Sequence, residues 1–221
     1  MSVWEWEEIQ EMSWEVDQNL FMISDIKFYF GIIAGSISFI AYLIYFYSIL
    51  KGKSKPSRVT WWIWAFMGGV SALSYYSSGA RYTIWSPIVE FIGPFITALL
   101  SVKYGDGGIK RKTDVFCLLG GILSVILWAF TGSPEAALML NILIDAFAIF
   151  PTIKKSYLHP KTESRLAWSG TTFADFINLF AIEKMKFIII IYPLWMFIED
   201  IVVLGLLEKD IFMSKKIKRN K

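Results

Sequence analysis

The stretch Ser57-Arg58-Val59-Thr60-Trp61-Trp62-Ile63-Trp64-Ala65-Phe66 returns 107 residues later as Ser164-Arg165-Leu166-Ala167-Trp168-Ser169-Gly170-Thr171-Thr172-Phe173. The serine, the arginine, the first tryptophan and the closing phenylalanine coincide. A second pair follows at an offset of 106, where Pro87-Ile88-Val89-Glu90-Phe91-Ile92 aligns with Pro193-Leu194-Trp195-Met196-Phe197-Ile198. Two matches at nearly one offset, both in corresponding apolar stretches, read as an internal repeat.

Working outward, the chain of 221 residues is 55% hydrophobic with a mean hydropathy of +0.50. That is more apolar than a water-soluble domain of this size usually is. A membrane-crossing helix needs about 20 mostly apolar residues at 1.5 Å of rise each. Seven stretches fit, at 28–50, 60–78, 83–103, 114–131, 134–156, 165–182 and 186–207. The expected fold class is therefore an all-α membrane protein of seven transmembrane helices, because unpaired backbone is not tolerated in lipid. The repeat makes spans one to three (28–103) recur as spans five to seven (134–207), with span four (104–133) as a connector. An offset of four spans gives both triplets the same direction, a parallel 3+1+3 arrangement. The second and sixth spans, rich in Trp, Ser, Thr and Asn, are expected to sit against protein.

Charge sets the expected orientation. The loop at 51–58 carries Lys51, Lys53, Lys55 and Arg58, and the loop after span three carries Lys103, Lys110, Arg111 and Lys112. The loop after span five carries Lys154, Lys155, Lys161 and Arg165, and the tail at 208–221 adds Lys209, Lys215, Lys216, Lys218, Arg219 and Lys221. Opposite these 18 basic residues stand only Lys27, Arg81, Lys184 and Lys186. The positive-inside rule then puts the carboxyl terminus in the cytoplasm and the acidic start, residues 1–27, outside the plasma (inner) membrane. That start is too acidic for a signal peptide. It reads equally as a surface helix or a flexible arm. The single cysteine, Cys117, excludes an internal disulfide, and the dispersed basic residues exclude a nucleic-acid binder.

A 3+1+3 parallel arrangement with an external amino terminus resembles the PQ-loop superfamily, which includes SWEET sugar transporters, cystinosin-like carriers and KDEL receptors. Phe150-Pro151-Thr152-Ile153-Lys154-Lys155-Ser156-Tyr157, then Pro160-Lys161-Thr162-Glu163-Ser164 and Trp168, is similar to that family's proline-kinked helix, basic loop and following helix. Thr152 stands where the family has its signature glutamine, and the first repeat ends on Tyr47-Ser48-Ile49-Leu50 without the proline. The resemblance implies alternating access, with Trp64, Trp168, Asn141 and Asn178 as candidate solute contacts.

The residues carry their own argument. A charge inside a bilayer costs about 2.5–3.5 kcal/mol on insertion scales, so it is a functional candidate by default. Asp145, Asp175 and Glu90 lie within spans, and no lysine or arginine shares their depth. Desolvation disfavours the charged carboxyl, so one or more is expected to carry a proton, as proton coupling requires. The competing role is structural, a carboxyl that bonds a hydroxyl or carbonyl and fixes helix register. Glu199 and Asp200 are assigned that structural role, and Trp61 and Trp62 an interfacial one. Pro94, Pro151 and Pro193 lie inside spans, where each removes a backbone hydrogen bond and is a candidate hinge. His159 stands alone in a loop, and no metal or other cofactor is expected.

The expected function is transport of a small polar solute (a sugar, amino acid, nucleoside or vitamin precursor), either proton-coupled or facilitative. The alternative is a non-transporting receptor on the same bundle. An enzyme is not expected, since there is no paired histidine, no nucleophile beside a base and no phosphate-cradling loop. A retinal protein fails for want of a lysine in the middle of the last span. The expected partners are the lipid bilayer and the solute, and a homo-oligomer is compatible with the sequence.

Overall fold

The computed structural model describes the backbone of residues 3–77, 85–130, 134–182 and 187–219, with side chains chiefly over 26–69, 89–130, 139–182 and 190–209. Its regular structure is all helical. The α-helices are α1 (Val3–Leu50), α2 (Arg58–Ser77), α3 (Trp85–Tyr104), α4 (Lys112–Ala129), α5 (Pro134–Leu158), α6 (Arg165–Asn178) and α7 (Phe187–Arg219). Short 3₁₀ turns, Pro160–Thr162 and Leu179–Ala181, precede and extend α6. The acidic start enters α1 at Val3, and α7 carries basic residues of the tail as far as Arg219. Two segments, Ile26–Leu50 and Ile190–Lys209, are long and apolar enough to cross a membrane.

The recurring Ser-Arg pair does the same local work twice. Ser57 Oγ accepts the Thr60 N–H at 3.4 Å, and Ser164 Oγ accepts the Ala167 N–H at 3.3 Å. Each serine thus satisfies an orphan amide at a helix start. The arginine that follows reaches across to another helix, α3 in the first case and α7 in the second. Arg58 donates to the Ser101, Val102 and Gly107 carbonyls at 3.0, 3.4 and 2.8 Å, where a cation meets the negative end of α3. Arg165 instead meets a carboxylate, Glu208 on α7, at 2.7 Å.

Packing order repeats as well. Among the described residues, α3 lies between α1 and α2, and α7 lies between α5 and α6. The halves meet where α1 packs on α6 and α2 on α5. The fourth helix lies on α5 and touches α2, with buried Cys117 against Val59, Ile63, Ile144 and Ala148.

Polarity is distributed opposite to that of a water-soluble bundle. Buried side chains include Ser48, Ser54, Thr60, Thr97, Ser101, Asp145 and Thr152, while exposed ones include Phe39, Phe66, Leu99, Leu123, Phe150, Phe173 and Ile201. Every one of the seven helices presents large apolar side chains outward. That includes α2, through Trp62 and Phe66, and α6, through Leu166, Phe173 and Phe176, so these two polar helices are not wholly enclosed by protein. Their polar faces point inward instead, at Thr60 and Thr172.

Two glycines fix how closely the helices approach. A Cβ on Gly68 would lie 2.8 Å from the Glu90 carbonyl oxygen and 2.9 Å from Phe91 Cα. Pro94 has no N–H to give that Glu90 carbonyl, and the backbone of α2 packs closely at this point. A Cβ on Gly170 would lie 2.9 Å from Ala41 Cβ, at the contact between the halves. Small residues at such crossings let helices pack backbone to backbone.

Outside the helices, partial burial pushes the Asp106 carboxyl up, but the Gly107 N–H and the Arg111 guanidinium outweigh it and hold it below the usual range. Asp106 therefore stabilises the α3–α4 loop at neutral pH, and the contribution is lost as pH falls through its depressed value. Gly68→Leu should lower the thermal midpoint of detergent-solubilised protein by several degrees, and Gly170→Leu should do the same. The exposed Gly35, with nothing within 4 Å of its would-be Cβ, should accept alanine with little change.

Candidate functional site

The middle of the bundle is organised by one carboxyl. Asp145, on α5, is 1% exposed. Its Oδ1 accepts the Trp64 indole N–H from α2 at 2.6 Å, and its Oδ2 accepts the Trp195 indole N–H from α7 at 2.6 Å. A buried carboxyl is tolerable only when its acceptors are so satisfied. The Trp64 ring also packs on three apolar clusters, those around Tyr45 and Trp61, around Cys117 and Ile144, and around Trp168 and Val203.

Helical spacing brings further acids to this point. On α7, Tyr192, Trp195 and Glu199 stand three and four residues apart and share a face, so the face that gives Asp145 an indole also gives it Glu199. The Glu199 side chain is 2% exposed and interacts with Asp145, Asp200 and Asp175. Asp145 comes within side-chain hydrogen-bonding reach of it, and no hydroxyl, amide or basic group donates to either Glu199 oxygen. Asp200, one step round α7, faces α6, where Asp175 and Thr171 come within hydrogen-bonding reach of it. Two carboxylates are acceptors only, so a hydrogen bond between Asp175 and Asp200 requires a proton held between them. The second oxygen of Asp200, Oδ2, is buried and has no donor.

The sequence-derived candidates divide. Trp64, Asp145 and Asp175 lie in or beside this cluster. Glu90 on α3 is exposed, and its charge acts on Tyr42, Asp175 and Tyr192. Asn178 is half-buried at the end of α6. Asn141 lies on α5 one turn before Asp145, but its side chain is outside the described residues. Pro94, Pro151 and Pro193 all lie inside helices, α3, α5 and α7 respectively. Glu199 and Asp200 are buried members of the cluster, and Trp61, only 4% exposed, belongs to the core beside Tyr45.

Trp168 serves a different site. Its indole N–H donates to Glu163 Oε2 at 3.0 Å, and the Tyr45 hydroxyl donates to the same oxygen at 2.7 Å. The other oxygen, Oε1, is paired with the Lys155 ammonium, which also donates to the Lys55 carbonyl. Lys155 and Glu163 are 3% and 6% exposed, so Lys155 is a buried ion-pair member and not a solvated loop charge. With Thr152 donating to Thr60 at 2.9 Å, these bonds stitch the loop after α1 to the end of α5 and the start of α6. Sequence spacing carried one signal for this site, a glutamate five residues before Trp168. Tyr45 is more than a hundred residues away, and nothing in the sequence connects it.

Among the described residues, no group of three metal-ligating side chains converges. No protein-family model, curated protein or solved structure matches the chain.

Removing one partner of a buried pair strands the other. Glu163→Ala should therefore cost about 3–5 kcal/mol of stability, and Glu163→Leu combined with Lys155→Met should recover most of it. Thermal unfolding of the single and double variants measures both. Trp64→Phe, which removes one donor from Asp145, should cost about 1.5–3 kcal/mol.

Proposed function

We propose that this chain is a plasma-membrane transporter of a small polar solute, working by alternating access between two parallel three-helix units joined by α4. All seven helices cross the bilayer in this reading, with the amino terminus outside and the basic loops in the cytoplasm. What supports it is the outward-facing apolar surface of every helix, the equivalent packing order of α1–α3–α2 and α5–α7–α6, and the paired Ser-Arg contacts. One chain contains both units, so no second copy is needed to complete the path.

The observation that carries the functional reading is the pair of indole bonds on Asp145. The Trp195 bond stays within the second unit, while the Trp64 bond crosses from the first unit to the second. Rocking the units apart breaks the crossing bond and keeps the other. A proton arriving on Asp145 weakens its hold on Trp64, since a neutral carboxyl accepts less strongly than a charged one. Proton uptake and rocking thereby become one event. At the basic end the Tyr45–Glu163, Thr60–Thr152 and Lys155–Lys55 bonds all join the two groups of helices, and in this reading that end is the closed, cytoplasmic one.

Counterflow uptake into proteoliposomes tests this, with a panel of sugars, amino acids, nucleosides and vitamin precursors, with and without an inward proton gradient. Uptake that rises with the gradient in wild type, and is insensitive to it in Asp145→Asn, is the expected result. Gradient-independent uptake by both would leave Asp145 a structural role. No uptake of any solute by folded protein would favour a non-transporting receptor.

A further inference from the structure

We infer that the seam between α5 and α7 at the basic end of the bundle seats an anionic phospholipid, its phosphate on Lys209 and Lys154 and an acyl chain along the two helices. The inference rests on the reading that both helices cross the bilayer, and it adds a partner which that reading does not name.

Among the described residues, three lysine ammonium groups lie over tyrosine rings. Lys51 stands over Tyr47, Lys103 over Tyr104 and Lys209 over Tyr157, at 5.6, 5.2 and 5.3 Å from the ring centroids. Lysines beside aromatic rings mark the border between hydrocarbon and water, the depth at which lipid phosphates lie. The first two pairs are made within one helix or at its end, whereas the third joins α7 to α5. Helical spacing puts Phe150, Lys154 and Tyr157 on one face of α5, and Val202, Gly205 and Lys209 on one face of α7. All of these residues are exposed. The helices pack together through Ile149, Ile153, Val203 and Leu207. In two helices running the same way, as these do in the spanning reading, that phasing turns both exposed faces to one side of the contact. A Cβ built on Gly205 would meet nothing within 4 Å. The α7 face therefore has an open notch one turn from the Lys209 ammonium, with apolar Val202 and Phe150 deeper in the span. Gly35 on α1 is equally open, but no cation stands within a turn of it.

The cations here have donors to give. Lys209 is in none of the described salt bridges, and its neighbour Glu208 is taken by both Nε and Nη2 of Arg165. Lys154 gives one N–H to Thr113 Oγ1 at 2.7 Å, which leaves two of its three donors. A phosphodiester supplies the acceptors and the opposite charge, and charge-assisted bonds are the stronger kind. A zwitterionic phospholipid carries the same phosphate, but its own ammonium competes with the lysines for it. Dissolved phosphate has the charge and nothing to lie along the apolar faces, and salt screens exposed lysines from it. An anionic lipid satisfies the headgroup position and the notch together.

The test titrates delipidated full-length protein in a non-ionic detergent with dihexanoyl-phosphatidylglycerol, dihexanoyl-phosphatidylcholine and inorganic phosphate. Native mass spectrometry reads the lipid retained, and thermal unfolding reads the midpoint. Phosphatidylglycerol should bind and raise the midpoint, and the other two should bind roughly tenfold or more weakly. Lys209→Gln should weaken phosphatidylglycerol binding about fivefold, the loss of one lysine at a membrane surface, and Lys154→Gln should act in the same direction. Gly205→Leu, which fills the notch, should weaken binding with both lysines in place. Lys51→Gln and Lys103→Gln, which remove the other two pairs, should leave it unchanged. Equal binding of phosphatidylcholine or of inorganic phosphate overturns the inference. So does undiminished binding in Lys209→Gln, or an equal loss in Lys51→Gln and Lys103→Gln, which would leave a basic belt without a seat. Alkaline washing of phosphatidylcholine vesicles separates this inference from the reading beneath it. Protein that is washed off ends the spanning reading and the inference with it. Protein that stays but shows no preference for phosphatidylglycerol ends the inference alone.

Discussion

A carboxyl buried in the middle of a helical bundle must be given donors, and here both come from indoles. Asp145 cannot stay at 1% exposure unless α2 and α7 are both held against α5. Trp64 and Trp195 supply those attachments at 2.6 Å each. Because the Trp64 ring also packs on all three apolar clusters, the polar bond and the core share one side chain. Moving α2 relative to α5 would therefore disturb the hydrogen bond and the packing together.

The second buried charge centre is built differently. Glu163 is saturated, with Lys155 on one oxygen and Tyr45 and Trp168 on the other. Glu199 is the opposite case, buried among other carboxyls and absent from the described salt bridges.

The helices were legible because hydrophobic length is a local property. The stretch 186–207 reads as a span from its composition alone, and α7 runs from Phe187 through it to Arg219. The Ser57 and Ser164 starts were visible as a repeated motif, and both cap a helix through the same hydrogen bond. Asp145 could be singled out as a charge in an apolar run, yet its donors could not, since Trp64 is 81 and Trp195 50 positions away. Glu199 was assigned a structural role from its position, and the carboxyls that stand opposite it could not be read from depth along a helix. Lys155 was counted as a loop charge for the same reason: only folding brings Glu163 and the Lys55 carbonyl to it.

The sequence by itself determined the all-helical class, the positions of the helices, the repeated starts and the excess of acid over base within the apolar stretches. These depend on composition and on periodicity within a few turns, where each residue's neighbours are its neighbours in the chain. Only the tertiary structure decided which acids share a site and which are already satisfied. It also decided that Trp64 and Trp168, equal candidates in the sequence, serve different carboxyls. Hydrogen-bond satisfaction is a property of what surrounds a group in space, and in this bundle the partners that matter come from helices far apart in the chain.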